Sequence, residues 1–260
     1  MSNTEATARR FGGIERLYGQ RALANFETAH IGVIGLGGVG SWVAEALARS
    51  AIGTLTLYDM DVVAESNINR QLLASDASLG RDKVAVMQAR IEDINPDCRV
   101  NAVDDFVTRD NLQSHLSADL DFVVDCIDDF RTKAAIIAYC KRQKLPIITV
   151  GGAGGQLDPA RIRKLDLART EHDVLLARTR KLLRQEYGFA RNPKRNFSIP
   201  AVFSDEQLRY ADGAGGVTMQ RPSQGGLTGL SCASGLGSVT HVTASFGMIA
   251  AAHVLWALSR

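Results

Sequence analysis

Apolar positions in the first 150 residues follow two different spacings. Nearly continuous apolar runs, such as 29–34 and 121–126, have the length of buried strands. Longer segments, such as 39–50 and 81–94, have apolar residues three or four positions apart, which is typical of amphipathic helices. Strands that alternate with helices favour a mostly parallel sheet covered on both faces. We therefore predict a doubly wound, Rossmann-like α/β fold, with its ligand beyond the carboxyl ends of the strands.

The same pattern predicts individual elements and a division of the chain. Strands are predicted at 29–34, 54–58, 99–104, 121–126, 146–150 and 196–204. Helices are predicted at 39–50, 81–94, 131–144 and 171–187. Around the Rossmann-like unit at 29–160 we expect three further segments, namely a helical arm at 1–28, a basic insertion and loop at 161–235, and a closing helix at 236–260.

Composition indicates a soluble globular protein. Hydrophobic residues make up 45% of the chain and charged residues 22%. The first ten residues lack the apolar core of a secretory signal, and the four cysteines form no CxxC pair, so we expect a cytoplasmic protein. The apolar stretch 238–259 is as long as a bilayer span. Burial in the core or in a dimer interface is the favoured interpretation, with peripheral membrane association as the alternative.

Positive charge is concentrated in one segment. The net charge of the chain is only +2, but residues 161–195 contain 11 Lys and Arg against four Asp and Glu. Such a cluster is typical of a surface that binds a polyanion, and the alternative is a solvated helix face followed by a loop. The candidate contact residues are Arg180, Lys181, Arg184, Arg191, Lys194 and Arg195.

A glycine-rich turn follows the first strand and predicts a phosphate site. Gly35, Gly37 and Gly40 form GxGxxG, and Gly38 lies between them. Glycines allow a tight turn and close approach of backbone amides to phosphate, and the helix N-terminus adds positive potential. Asp59, at the end of the second strand, is placed to bind ribose hydroxyls. Up to this point a nicotinamide dehydrogenase fits equally well.

The next segment favours a triphosphate over a dinucleotide. A dense polar cluster follows the second strand, and Asp128 follows a later buried strand. The cations Arg70 and Lys83 suit polyphosphate oxygens, and a carboxylate at Asp128 can hold Mg²⁺ against them. The other members of the cluster are Asp61, Asn67, Asn69 and Gln71.

These motifs in order, GLGGVG, DMDVVAESNINRQ, GRDKV and DCIDD, resemble the ubiquitin-activating-enzyme-like adenylyltransferases. The resemblance implies ATP as the nucleotide, activation of a carboxylate as an acyl-adenylate, and a homodimer. It also implies that Arg10 or Arg16, from the N-terminal segment of the partner subunit, reaches the γ-phosphate. The implied catalytic residues are Arg10, Arg70, Lys83 and Asp128, with Asp128 as the metal ligand. The implied ATP-binding residues are Gly35, Gly37, Gly38, Gly40, Asp59, Asp61, Asn67, Arg70, Gln71, Lys83 and Asp128.

Further stretches point to one branch of that superfamily. RFGGIERLYG, VDDFVT, TVGGAGGQLDP and CASGLGSVTHVTASFG closely resemble the tRNA threonylcarbamoyladenosine dehydratases. That resemblance implies adenylation of the threonine carboxylate of the modified adenosine at position 37 of tRNA. Attack within the same nucleoside then closes a ring with net loss of water. The basic segment at 161–195 would then contact tRNA phosphates.

Three other functions remain as alternatives. An activator of a ubiquitin-like sulfur carrier shares the ATP site, although the usual paired zinc cysteines are missing. The others are a nicotinamide dehydrogenase and a non-catalytic tRNA-binding protein. Cys232 is a candidate thiol, which would imply a sulfur-relay protein partner, and an ordinary loop or core cysteine is the alternative. Backbone carbonyls of the Gly/Ser-rich loop at 211–235 are candidates for a monovalent-cation site.

Overall fold

Seven strands form one sheet in the computed structural model, which describes residues 3–192, 194–220 and 236–260, with side chains from residue 9 onward. The spatial order is β3-β2-β1-β4-β5-β7-β6, and all neighbouring pairs are parallel except β6 with β7. The strands are β1 (His30–Ile34), β2 (Thr54–Tyr58), β3 (Arg99–Val103), β4 (Phe122–Asp125), β5 (Ile147–Val150), β6 (Ile162–Asp166) and β7 (Pro200–Ser204). A small hairpin joins β8 (Tyr210–Ala211) to β9 (Val217–Thr218).

Helices cover both faces of this sheet. They are α1 (Asn3–Tyr18), α2 (Gln20–Thr28), α3 (Gly40–Ala48), α4 (Lys83–Ile94), α5 (Leu112–His115), α6 (Phe130–Gln143), α7 (Val174–Glu186) and α8 (Thr240–Leu258). Because successive side chains of a strand point to opposite faces, adjacent strand residues enter different cores. Val124 of β4 packs in the core with α2, α3, α4 and α8, and Val123 packs in the core with α5, α6 and α7. The predicted doubly wound α/β fold is confirmed.

The strand order reverses between β1 and β4. From β1 the chain moves outward through β2 to β3, and it then returns to place β4 on the other side of β1. The loops that leave the carboxyl ends of these two central strands therefore diverge and open a crevice between them. Its floor is close-packed, because a side chain at Gly35 would meet Ile127 Cγ2 at 3.2 Å.

The segment predicted as a basic insertion is integrated in the sheet. Its strand β6 was not predicted, because its sequence, IRKLD, is polar and lies at an exposed edge. Helix α7 begins at Val174 rather than at 171, since the Asp173 carboxylate accepts the Leu176 amide and caps it. Strand β7 begins at Pro200 rather than at 196, because the amides of Phe197 and Ile199 donate instead to the side chain of Asp166.

The closing helix α8 packs on the sheet core. Val242, Phe246, Ala250 and Val254 are fully buried, with α3 and β5 among its neighbours. The helix is also long and apolar enough to cross a membrane, with 44% of its most apolar window buried inside the protein. The buried face packs in the core, whereas apolar side chains such as Met248 and Trp256 remain exposed on the same helix.

Candidate active site

A cleft of about 360 Å³ lies beyond the carboxyl ends of β1 and β4. Its walls come from the glycine-rich turn, the loop after β2, the start of α4, the loop after β4 and the turn at 151–154. Ten of the eleven predicted ATP-binding residues line this single cleft, namely Gly35, Gly37, Gly38, Asp59, Asp61, Asn67, Arg70, Gln71, Lys83 and Asp128. Residues separated by up to 93 positions along the chain are thus brought together as predicted.

The glycine-rich turn is built from backbone alone. Gly35 has φ +86°, a left-handed conformation that favours glycine, and its amide donates to Tyr58 O at 2.9 Å. Gly40 does not line the cleft, but a Cβ there would lie 1.8 Å from Gly35 O. Glycine is therefore required at this position, the first residue of α3, where the backbone packs directly against Gly35. The amino end of α3 consequently faces the cleft, where it favours anions.

Asp59 connects the turn to the loop after β2. Its Oδ2 accepts the Leu36 amide at 2.6 Å, and its Oδ1 accepts the Asp61 amide at 2.9 Å. Burial raises the pKa of Asp59, and the positive charge of Lys83 and the two amides oppose that rise. This buried carboxylate lines the cleft and can accept further hydrogen bonds, which suits hydroxyl donors such as those of a ribose.

Two cations lie on the wall formed by the loop after β2 and the start of α4. Lys83, the first residue of α4, is only 4% exposed, and its Nζ lies 2.8 Å from Asp61 Oδ2. Arg70 Nη1 donates to Ser66 O at 2.6 Å and to Asn69 Oδ1 at 3.0 Å. Both cations have partners on the rim that a phosphate could replace, so they can move onto an anionic ligand at small electrostatic cost.

Buried amides complete this wall. Asn67 Oδ1 accepts the Ala64 amide at 3.1 Å and fixes the short helical turn that precedes Arg70. Gln71 is also buried, and its Oε1 has no hydrogen-bond partner among the described residues. An unpaired acceptor in the wall of a cleft is costly unless a ligand or water satisfies it. The Gln71 Oε1 can therefore accept a hydrogen bond from a donor group in the cleft.

The three carboxylates of DCIDD have separate positions. Asp125 is fully buried in β4, Asp128 is exposed on the cleft, and the Asp129 side chain accepts the Thr132 amide at 2.7 Å and caps α6. Of these three carboxylates, Asp128 is the one that is neither buried in the core nor used to cap a helix. An exposed carboxylate beside a polyphosphate site is a typical single protein ligand for Mg²⁺, which otherwise keeps phosphate and water oxygens.

Asp125 belongs to a buried network behind the cleft that the sequence analysis missed. Lys133 Nζ lies 2.8 Å from Asp125 Oδ2, and the Thr149 hydroxyl donates to the same oxygen at 2.7 Å. Both charged side chains are 0% exposed. The network joins β4, β5 and α6 directly beneath the loop that carries Asp128. A lysine on a helix that is otherwise apolar on this face, eight residues after Asp125, was the available sequence signal.

Asp173 fixes the far wall of the cleft in a similar way. Its Oδ2 accepts the Gly152 amide at 2.9 Å and its Oδ1 accepts the Leu176 amide at 2.8 Å, so one carboxylate holds both the turn after β5 and the start of α7. A Cβ at Gly151 would lie 1.9 Å from Asp173 Oδ2, so the turn must remain glycine there. Burial raises the pKa of Asp173. An Asp immediately before an apolar helical run was the missed signal.

Cys126 lies in the cleft but is a poor nucleophile. Burial, and next the negative charge of Asp125, raise the pKa of its thiol. The thiol therefore stays protonated at neutral pH, and the reactive species of a cysteine is the thiolate. Cys232, the predicted candidate thiol, lies outside the described residues.

Other predicted residues lie away from the cleft. Arg10 Nη1 donates to Ile94 O at the end of α4, and neither Arg10 nor Arg16 lines the cleft of its own chain. Of the candidate tRNA contacts, Lys181, Arg191, Lys194 and Arg195 are exposed, whereas two are held inward. Arg180 donates to the Thr170 hydroxyl, and Arg184 Nε donates to Ala190 O at 3.3 Å.

Comparison with known proteins identifies the family. The ThiF family model matches residues 12–259. The tRNA threonylcarbamoyladenosine dehydratase of Escherichia coli K12 is 49% identical over 252 residues, which cover 97% of this chain and 94% of that relative. The chain belongs to the tRNA threonylcarbamoyladenosine dehydratase family. The family member from Haemophilus influenzae is 48% identical over 98% of this chain and 95% of its own length.

Solved dehydratase structures have the same fold. The E. coli dehydratase in complex with ATP matches with a TM-score of 0.87 and 45% identity, over 99% of this chain and 97% of that one. Its complex with AMP matches equally well. By contrast, the E. coli sulfur carrier protein ThiS adenylyltransferase is 39% identical over only 48% of this chain. The similarity to the dehydratases therefore includes β6, α7 and β7 as well as the nucleotide-binding half.

Proposed function

We propose that this protein uses ATP to convert threonylcarbamoyladenosine at position 37 of tRNA into its cyclic form. The observation that carries the proposal is the single cleft in which the glycine-rich turn, Arg70, Lys83 and Asp128 meet. It belongs to a chain similar over nearly its full length to dehydratases, one of which has been solved with ATP and with AMP. The cleft suits a triphosphate, and the family relationship supplies the acyl substrate.

The reaction balances without a nucleophile from the protein. A carboxylate oxygen of the threonine group attacks the α-phosphorus of ATP, and pyrophosphate leaves. A nucleophilic atom of the same modified nucleoside then attacks the activated carbonyl carbon and loses a proton, and AMP leaves with the former carboxylate oxygen. Since both ring-closing atoms belong to one nucleoside, the second step is intramolecular and needs chiefly orientation and exclusion of water.

The cleft residues have distinct roles in this proposal. Asp59 would accept the ribose hydroxyls, and the glycine-rich turn would hold phosphate oxygens through its amides. Arg70 and Lys83 would neutralise charge that develops on the phosphates as pyrophosphate leaves. Asp61, which now pairs with Lys83, would exchange that contact for solvent, since its side chain is 57% exposed. Asn67 would hold the turn that carries Arg70, and the Gln71 Oε1 would accept a hydrogen bond from a donor group of the nucleotide.

Asp128 is the residue that would hold Mg²⁺. Its exposed carboxylate on the cleft leaves room for phosphate and water oxygens, the remaining ligands that Mg²⁺ prefers. The metal would supply charge neutralisation for the pyrophosphate leaving group. The Gly/Ser-rich loop at 211–235 is proposed to bind a monovalent cation through its carbonyls, and residues 221–235 of this loop lie outside the described part of the chain.

We further propose a homodimer in which Arg10 or Arg16 of each chain completes the ATP site of the other. Support comes from large apolar side chains exposed in the loop between β2 and α4 that also forms the cleft wall. These are Met60, Val62, Ile68 and Leu79, which are between 41% and 51% exposed. A cytoplasmic location and a sulfur-relay partner for Cys232 are proposals of the same kind, which rest on the sequence alone.

The exposed cations between α7 and β7 are proposed to contact tRNA phosphates. Arg191→Glu/Arg195→Glu is expected to weaken binding of an anticodon stem-loop by about tenfold at 0.1 M salt, with a shallower dependence of binding on salt, because phosphate contacts release counterions. Filter binding at several salt concentrations measures both. The matched control is Arg21→Glu/Arg99→Glu, two exposed arginines of α2 and β3. Equal affinity of the two double variants would mean that the 191–195 segment is only a solvated surface.

The reaction is tested directly by mass spectrometry of nucleosides. Transfer RNA that carries linear threonylcarbamoyladenosine is incubated with the protein, Mg²⁺ and ATP, and the nucleosides are isolated under mild conditions. We expect a product lighter by one water, formed with ATP and absent with an analogue in which a methylene group replaces the oxygen that bridges the α- and β-phosphates. A protein that binds ATP but leaves this nucleoside unchanged would contradict the proposal and favour activation of a sulfur-carrier carboxylate.

A further inference from the structure

A second cavity, of about 420 Å³, lies between α6 and the end of α7, on the face of the sheet that these two helices cover. It shares no lining residue with the cleft among the described residues. We call it the aromatic pocket, and its characteristic residues are Arg142, Tyr187, Phe189, Asn196 and Phe197. Its volume lies in the range of about 300–1,000 Å³ that is typical of small-molecule pockets. None of these five residues has a role in the adenylation chemistry.

The walls of the aromatic pocket are fixed by packing. Phe197 is buried, and Phe189 meets it edge to face with ring centroids 5.0 Å apart. The Arg184 guanidinium lies 5.0 Å from the centre of the Phe197 ring and also donates to Ala190 O. Tyr187 and Phe189 are only partly buried, so ring surface remains open to a ligand. A planar, uncharged group could pack against these rings at low entropic cost.

Positive charge surrounds these aromatic rings. Lys141 and Arg142 line the pocket, and the Arg109 guanidinium lies 6.0 Å from the centre of the Tyr187 ring. Arg169 Nε donates to Asn196 Oδ1 at 3.0 Å. Glu186 is the one acidic lining residue within the described part of the chain, and its carboxylate faces the Arg109 guanidinium at 3.9 Å. The pocket therefore suits a planar ring that is attached to an anionic chain, and it disfavours cations.

Helix α7 connects the aromatic pocket to the cleft. Leu175, near its start, lines the cleft, and Glu186, its last residue, lines the pocket. With a rise of 1.5 Å per residue, these two positions are about 16 Å apart along the helix axis. That separation corresponds to a few nucleotides of a single-stranded loop. The exposed cations at 191 and 195 border the same pocket, because they adjoin the lining residues Ala190 and Asn196 in sequence.

We propose that the aromatic pocket binds an unpaired nucleobase of the tRNA, a few nucleotides from the adenosine in the cleft. The inference rests on the proposed function, from which it takes the substrate. Bases of RNA loops can be turned out of the stack, packed on aromatic or arginine planes and hydrogen-bonded at their edges. Tyr187 and Phe189 supply the planes, the Asn196 amide supplies an edge contact, and Arg142 supplies a phosphate contact. The pocket thus positions the substrate loop over the cleft.

The test combines Tyr187→Ala with RNA that lacks single bases. Anticodon stem-loops carrying threonylcarbamoyladenosine are made with one abasic nucleotide at each loop position in turn. Loss of a base that stacks on an aromatic side chain is expected to weaken binding by about fivefold or more. We expect such a loss at one loop position with the unaltered protein. With Tyr187→Ala we expect the same weakening for the intact loop and no additional loss at that position.

Two further variants keep the proposal open to contradiction. Tyr187→Phe retains the ring and is expected to bind RNA like the unaltered protein. Arg142→Glu is expected to bind the intact stem-loop and every abasic stem-loop more weakly. ATP affinity and melting temperature, measured for each variant, verify that the cleft and the fold are intact. Unchanged RNA binding by Tyr187→Ala would overturn the nucleobase assignment. So would additive effects, in which the abasic nucleotide weakens binding to Tyr187→Ala as much as it weakens binding to the unaltered protein. Failure of the proposed function would look different, because the unaltered protein would then form no cyclic nucleoside.

Discussion

Lys83→Ala is expected to lower ATP-dependent turnover by about 100- to 1,000-fold while the protein remains folded. The Lys83 ammonium group lies on the cleft wall at the start of α4, where it can neutralise the leaving pyrophosphate. Its ion-pair partner Asp61 is 57% exposed and stays solvated, and the buried Asp59 carboxylate keeps its two backbone amide donors. Pyrophosphate release and melting temperature, measured on the same samples, separate the effect on catalysis from any effect on folding.

The matched control is Arg81→Ala. Arg81 is an exposed cation two residues before Lys83, and its side chain does not line the cleft. We expect it to retain normal turnover, which would show that loss of local positive charge alone is not sufficient. Turnover by Lys83→Ala within a factor of a few of the unaltered protein would remove Lys83 from the site.

Lys133→Met is expected to have the largest effect on stability. Lys133 and Asp125 are both completely buried, so the methionine leaves an ionised carboxylate without its cation. Breaking such a pair from one side typically costs about 3–5 kcal/mol, which corresponds to a fall in melting temperature of roughly 10 °C for a chain of this size. Denaturant unfolding and thermal melting measure the loss.

A second substitution tests whether the stranded charge is the cause. Lys133→Met/Asp125→Asn also removes the negative charge, and the amide can still hydrogen-bond to the Thr149 hydroxyl. We expect the double variant to regain a substantial part of the free energy of unfolding. If it is no more stable than Lys133→Met, the loss comes from packing rather than from the uncompensated carboxylate.

Local signals made the nucleotide-binding half predictable. The turn at Gly35 and Gly40 is specified by backbone geometry that only glycine tolerates, and strand β2 has its predicted bounds. Carboxyl ends of parallel strands meet at one sheet edge, so sequence order alone placed Asp59 and Asp128 together. Ten of the eleven predicted nucleotide contacts consequently line one cleft, even though several of them are far apart in the chain.

Features that depend on tertiary partners were not predictable in this way. The role of Asp125 depends on Lys133, which reaches it from a neighbouring helix, and that of Asp173 depends on the Gly152 amide. A charged residue in an apolar segment does not reveal its partner. Strand β6 has a polar sequence because it lies at the edge of the sheet, so it lacks the apolar run of a buried strand. The hydrogen bond that Arg180 donates to the Thr170 hydroxyl likewise depends on how the fold brings these two residues together.

Strand β6 forms one exposed edge of the sheet and so affects whether two molecules can associate through it. It is the outermost strand of the sheet, and no other strand in the described ranges pairs with its outer side. Such an edge can template growth of the sheet by further chains. Two adjacent residues of this strand, Arg163 and Lys164, are exposed and cationic. Edge-to-edge approach of two molecules would bring these like charges together and remove their hydration. The antiparallel edge strand β6 thereby disfavours aggregation through this edge of the sheet.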